Sequence, residues 1–233
     1  MKEFLLFVDT ETSGLPADWK QPYTAEQNWP YILQLAWVIY TKDGQQVKAE
    51  NHYLPLPDGV QISAGSLRVH GLTPEFLQAN GEERMLVMQR LHDDLAQYKP
   101  MIVAHFMELD EHMIGAGFYR AHLDNPLQSL PSFCTMRVTE QFVRPTGQRY
   151  LSLGELYKRL FNEPLLHQHD AWVDAQAAAR CFFELQRKGD INEEVIVRQQ
   201  LPAVPAQARP PRRWYWLGLF ASLLILLVLY LAL

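Results

Sequence analysis

Residues 4–15 read FLLFVDTETSGL, an apolar run that stops on two carboxylates. Phe4 to Val8 has the composition of a buried strand, and Asp9 cuts the run far short of a secretory signal core. Asp9 and Glu11 stand two residues apart, so on extended backbone both side chains project to the same face. An apolar strand end accepts two carboxylates only where cations or hydrogen-bond donors offset their desolvation. Such a pair also marks many strands that merely enter a solvated loop. The tight Thr12-Ser13-Gly14-Leu15 turn adds weight, because it aims both acids toward one side.

Outward from this stretch, the pattern predicts a strand over 3–9, then a hairpin of 31–40 and 47–54 around a Lys42-Asp43-Gly44 turn. Apolar residues at helical spacing (Met85, Met88, Leu91, Leu95) predict a helix over 82–98. A short buried strand follows at 101–104, and helices at 108–121, 151–161 and 171–187. Ser152 and Glu155 offer a capping box at the start of the second of these. Strands in a meander followed by strand and helix in alternation predict a mixed sheet with helices on its faces.

Three further residues carry chemistry. Asp110 lies in VAHFMELD, where it also suits the first turn of a helix through the helix dipole. His169 and Asp174 lie in HDAWVDA, five apart, which puts Asp174 within the first turns of a helix and His169 at its mouth. An imidazole that titrates near neutrality on mobile backbone suits a general base; a lone histidine there can equally be a surface cap. His167 is a nearby competitor, and Asp170 reads as an N-cap. Together the four acids and one histidine supply what phosphodiester hydrolysis needs: oxygen ligands for two hard divalent cations and a base for water.

Composition excludes several classes. With 48% hydrophobic and 20% charged residues the chain is neither disordered nor short of core material. Cys134 and Cys181 are its only cysteines, which leaves no disulfide framework and no zinc-binding spacing. The net charge of -5 is uneven: residues 195–213 hold four arginines and no acid, leaving 17 basic against 26 acidic side chains elsewhere. A domain that acidic does not hold nucleic acid by bulk charge. Residues 214–233, WYWLGLFASLLILLVLYLAL, carry no charge and are long enough as a helix to cross a bilayer. Arg212 and Arg213 flank them, and Trp214, Tyr215 and Trp216 sit where interfacial aromatics belong. The expected organisation is therefore a domain over 1–188, a Pro/Arg-rich linker over 189–213 and a single-pass anchor over 214–233, with the domain on the cytoplasmic side.

The DxE pair, the aspartate about a hundred residues on and the final HxxxxD together resemble the DEDDh branch of the DnaQ-like 3′→5′ exonucleases, the superfamily of polymerase proofreading subunits. Arg68-Val69-His70-Gly71-Leu72-Thr73-Pro74-Glu75 is similar to the family's VHGIT segment, which precedes a helix near the substrate cleft. Trp29-Pro30-Tyr31-Ile32-Leu33-Gln34-Leu35-Ala36 resembles the start of its second strand, and the likeness runs over about residues 3–187. The resemblance implies an α/β, ribonuclease H-like fold: a mixed five-stranded sheet flanked by helices, here with one transmembrane helix added. It implies Mg2+ or Mn2+ as a pair of ions on Asp9, Glu11, Asp110 and Asp174, with Asp9 bridging, and His169 as the base that deprotonates the attacking water. Thr12, Ser13, Gly14, Leu15 and His70 are implied to hold the terminal nucleotide. The expected partner is the 3′ end of nucleic acid, single-stranded DNA foremost, besides a membrane and DNA polymerase or repair proteins.

Two stretches depart from the family pattern. Its second motif commonly reads H-N-A-x-F-D, whereas this chain has His105-Phe106-Met107-Glu108-Leu109-Asp110, without the asparagine used near the substrate. The loop of residues 16–28 is longer than a minimal proofreading domain has, and its Trp19 and Tyr23 either stack on bases or pack the loop. Arg137, Arg144, Arg149, Lys158 and Arg159 either meet phosphates or form a solvated face. Small RNAs are the alternative substrate. A membrane-tethered, non-catalytic nucleic-acid-binding module is the alternative from another class.

Overall fold

The computed structural model describes residues 1–142 and 147–200. The opening apolar run forms β1 (Phe4–Thr12), the central strand of one five-stranded sheet. It pairs antiparallel with β2 (Ile32–Thr41), which turns back into β3 (Gln46–Tyr53). On its other side it pairs parallel with β4 (Met101–Ala104), and β5 (Ser132–Cys134) closes that edge, giving the order β3-β2-β1-β4-β5. Gly44 makes the β2–β3 turn possible: at φ 86° it donates its N–H to Thr41 O, and Thr41 N–H donates to Gln45 O. That is a turn followed by a left-handed glycine, the geometry that lets a short loop match strand twist.

Helices cover both faces. Between β3 and β4 come α1 (Ala64–His70), α2 (Pro74–Asn80) and α3 (Arg84–Tyr98). The chain continues through α4 (Met107–Arg120), α5 (Thr135–Val138), α6 (Leu153–Phe161), α7 (Ala171–Lys188) and α8 (Glu193–Gln200). Alternate residues of β1 serve different cores. Leu6 and Val8 pack with α3 and α4 residues such as Leu91 and Ile114, and Leu5 and Phe7 pack with Phe182 and Leu185 of α7. Each such fully buried side chain contributes about 1.5–3 kcal/mol. Where α7 crosses the sheet, Ala36 meets Ala171 and Ala175, and these small side chains let the helix start lie close to the strand ends.

The mixed five-stranded sheet flanked by helices is the one the resemblance implies, and the Ser152–Glu155 capping box forms in full. Three elements differ from expectation. β1 runs on through Thr12, because its ladder with β2 persists to Ile32, so Glu11 sits in the strand and not beyond it. α1 is an element the sequence pattern does not mark, a short helix with no buried residue, held by its Ser63 cap and by Gly71 at φ 71°. The linker expected over 189–213 does not begin as a linker: Ile191, just before α8, and Ile196 within it enter the α7-side core.

The edge of β5 is closed by side chains. Gln199 accepts from Cys134 N–H at 3.0 Å and donates to Cys134 O at 3.2 Å, and Gln200 does the same to Ser132 N–H and O. Two primary amides thus stand in for a sixth strand, removing the unpaired edge that invites strand addition. Among the described residues no helix is long and apolar enough to cross a membrane. The span expected at 214–233, the linker from 201 onward and Arg144 lie outside the described residues.

On the other side of the sheet, Asp94 of α3 is buried and accepts from Trp37 Nε1 and from Lys48 Nζ, both at 2.8 Å. This carboxylate fastens α3 to β2 and β3. Its removal strands the buried Trp37 indole N–H, while Lys48 keeps Glu50 at 3.2 Å, so Asp94→Ala should lower unfolding free energy by about 1–3 kcal/mol in urea titration. A loss under about 0.5 kcal/mol would show that the Trp37 N–H finds another partner.

Candidate active site

The end of β1, the start of α1, the start of α4 and the loop before α7 converge on one cleft of about 600 Å³. Asp9, Glu11, His169 and Asp174 line it, with Thr12, Leu15 and His70 nearer its mouth. Asp110 lies just behind Thr10, whose Oγ1 donates to Asp110 Oδ1 at 2.8 Å in the buried interior. All five residues expected to carry chemistry are therefore brought to one place from four elements. Single ligand atoms of Glu11, His169 and Asp174 lie within 4.8 Å of one another.

Electrostatics makes this cluster costly. Burial pushes the Asp9 carboxyl well above the usual range, and Asp110, Asp174 and Glu11 add repulsion. Glu11 is pushed up to about 8 by burial and then by Asp174 and Asp110. Burial carries Asp110 to about 7 against the opposing Thr10 hydrogen bonds, and carries Asp174 to about 6 against the His169 backbone N–H. Asp174 Oδ2 accepts that N–H at 2.9 Å, while Oδ1 is buried with no hydrogen-bond partner. An orphaned carboxylate oxygen beside two more donors is what a divalent cation with oxygen and nitrogen ligands would satisfy. The carboxylates of this donor set fit a hard divalent cation.

The loop before α7 is set by backbone geometry. His167 and His169 adopt φ of 55° and 66°, a left-handed conformation that costs a non-glycine residue free energy and recurs at functional sites. His169 is exposed at the cleft mouth, whereas His167 is not among the residues lining it. The helix start behind it is firm. Asp170 accepts from Trp172 N–H and Val173 N–H as the N-cap. Buried Gln34 of β2 donates to Asp170 Oδ1 at 3.0 Å and accepts from Ala171 N–H at 3.2 Å. Gln34 and Thr10 are positioning residues that sequence reading missed; their partners lie 136 and 100 residues away.

The expected substrate-binding stretch divides. Leu15 is 68% exposed at the cleft, and Thr12 lines it. Ser13 and Gly14 turn away from it. Ser13 exchanges N–H and O bonds with Tyr31 and Ser63, and its Oγ accepts from Tyr31 N–H, so its polar groups are spent on the fold. His70 lines the cleft, but its Nδ1 accepts from Leu72 N–H, leaving Nε2–H to donate to Thr12 O at 3.3 Å. That ring is neutral by geometry, and burial pushes its pKa down. His105 is likewise structural: Nε2–H donates to Leu151 O, and burial takes its pKa down to about 4. In the longer loop, Tyr23 packs on Trp29 and into the space left by Gly115. Trp19 lies beside Phe106.

Known structures share this fold. Escherichia coli exonuclease I bound to a dT13 oligonucleotide superimposes with a TM-score of 0.66 at 20% identity, over 81% of this chain and 43% of that one. A zinc-bound E. coli exonuclease I complex with single-stranded DNA gives 0.66 at 18%, over 85% and 42%. The chain thus spans under half the length of those proteins, and the likeness is one of fold. No curated protein sequence matches the chain. The profile of one sequence family does, described as exonuclease and aligned from residue 6 to residue 182, so the chain belongs to the RNase_T exonuclease family.

Proposed function

We propose that this protein is a DEDDh-type 3′→5′ exonuclease that releases nucleoside 5′-monophosphates from single-stranded DNA. The observation that carries the reading is Asp174 Oδ1, buried without a partner, with a Glu11 carboxylate oxygen to share a cation and a His169 ring nitrogen close enough to act as a base. The oligonucleotides bound by E. coli exonuclease I favour DNA over small RNAs as the substrate.

Asp9, Glu11, Asp110 and Asp174 would hold two divalent cations, which when bound supply Lewis acidity and offset the negative charge of the phosphodiester. Leu15 and Val69, both exposed at the cleft, offer apolar surface to the terminal base. His169 takes a proton from water at a ring nitrogen as the water oxygen bonds to phosphorus. The bond from phosphorus to the 3′ oxygen of the penultimate nucleotide then breaks. That oxygen takes up a proton, leaving a shortened strand with a 3′-hydroxyl and a free 5′-monophosphate. Held at its N–H by Asp174, His169 keeps its ring at the mouth, where the proton can pass on to solvent.

Residues 214–233 are proposed to anchor the protein in a membrane with the nuclease domain in the cytoplasm. Their charge-free length and the Arg212-Arg213 flank support this.

With magnesium and 5′-labelled single-stranded DNA, the purified chain should give a ladder shortening from the 3′ end, and chelator should stop it. Asp9→Ala should abolish the ladder. His169→Ala should slow it by roughly 10²–10⁴-fold, since the base is lost while the carboxylates remain. Wild-type rates in either variant would remove the assignment.

A second test reads the carboxylates without turnover. Glu11, Asp110 and Asp174 have folded pKa values of about 8, 7 and 6, above the usual carboxylate range, so the native metal-free state keeps protons that the unfolded chain releases. Their stabilising contribution is present below about pH 4 and is lost as pH rises through 6–8, at about 1.4 kcal/mol per pH unit for each proton retained. The melting temperature in chelator should therefore fall between pH 5 and 8.5, and Glu11→Gln should flatten the fall. A flat wild-type profile would contradict the electrostatic account. Deleting residues 214–233 should move the protein from the membrane to the soluble fraction with its activity retained; an unchanged distribution would remove the anchor.

A further inference from the structure

A second depression of about 470 Å³ adjoins the cleft, and Phe106 and Met136 line both. Its two walls differ in charge. Glu108 and Glu111 of α4 form one, and Arg137, Arg149 and Tyr150 form the other. Phe106 stands on the ridge between cleft and depression, 38% exposed, with the Trp19 ring 6.1 Å from its own. A large aromatic left part-exposed on a ridge between two hollows is a platform for a flat ligand.

Charge selects the ligand. Arg137 is exposed and forms no ion pair among the described residues. Arg149 lies 5.1 Å over the Tyr150 ring and 3.2 Å from Glu140, an exposed contact of the kind that a phosphate replaces at little cost. The acidic wall repels phosphates, so a strand entering here runs its backbone along the arginines and turns its bases toward Phe106.

Building on the nuclease reading, we infer that this depression binds the nucleotides just upstream of the scissile bond in a single strand, with one base stacked on Phe106 and phosphates on Arg137 and Arg149. The aromatic at position 106 serves as a stacking surface at the point where the strand leaves the cleft. The site thereby makes the enzyme sensitive to strand length, beyond the nucleotide being cleaved.

The test is binding of 5′-fluorescein-labelled (dT)2 and (dT)12 to the full chain, followed by anisotropy in EDTA so that no probe is consumed. Wild type should bind (dT)12 more tightly. Phe106→Ala should weaken (dT)12 binding by roughly 5- to 150-fold, the range for loss of one stacked base, and Phe106→Tyr should restore it. Arg137→Ala should reduce the slope of log affinity against log salt by about 0.7, one phosphate contact on a single strand. Equal wild-type affinity for the two probes, or an Arg137→Ala variant with the wild-type slope, would overturn the proposal. Hydrolysis of the p-nitrophenyl ester of thymidine 5′-monophosphate by the wild-type chain with manganese separates the two readings. Its absence removes the catalytic one, while the length and salt dependence of binding decides this one.

Discussion

Mutual repulsion among buried carboxylates is the constraint to which the rest of this protein answers. Four acids from β1, α4 and α7 crowd together, three lining the cleft and Asp110 behind Thr10, and burial drives the pKa of each upward before any neighbour is considered. A cluster so unfavourable holds its shape only if the scaffold is stiff. Stiffness comes from β1, which is paired on both sides and packed on both faces. It comes also from Thr10, which ties Asp110 to the strand, and from Gln34, which ties the α7 start to β2. Fold and site are one arrangement, because the strand that centres the sheet also carries two of the acids.

Much of this is legible in the sequence, for identifiable reasons. The i, i+2 spacing of Asp9 and Glu11 fixes their common face through strand geometry alone, and the five-residue step from His169 to Asp174 is local to one helix start. Strands β2 and β4 stand out as apolar runs, and β3 through the Lys42-Asp43-Gly44 turn that precedes it. What escapes is non-local or weakly amphipathic. α1 buries no residue and so leaves no periodic trace. α8 is polar apart from Ile196 and its neighbours, and its place depends on two glutamines finding a strand 65 and 68 residues away. The orientation of Ser13 is decided by Tyr31, across a loop whose path no short-range rule prescribes.

Histidines show the same division. Four of them with chemical promise, His70, His105, His167 and His169, are alike in sequence, and only their surroundings distinguish them. His70 and His105 have both ring nitrogens committed to the protein. His169 alone of the four is held at its backbone N–H by a site carboxylate while its ring remains exposed in the cleft. Availability of the ring, more than proximity to acids, marks the residue suited to move protons.

The two glutamine amides on β5 give the sheet a mechanical character. Whatever the chain beyond residue 200 is attached to, a pull on it loads α8 first, and that load passes through the Gln199 and Gln200 side chains into the edge of the sheet. β5 is two strands from β1, so the path from that point of traction to Asp9 and Glu11 runs across two parallel ladders. The carboxylates therefore sit away from the point of loading, on a strand that the sheet holds from both sides.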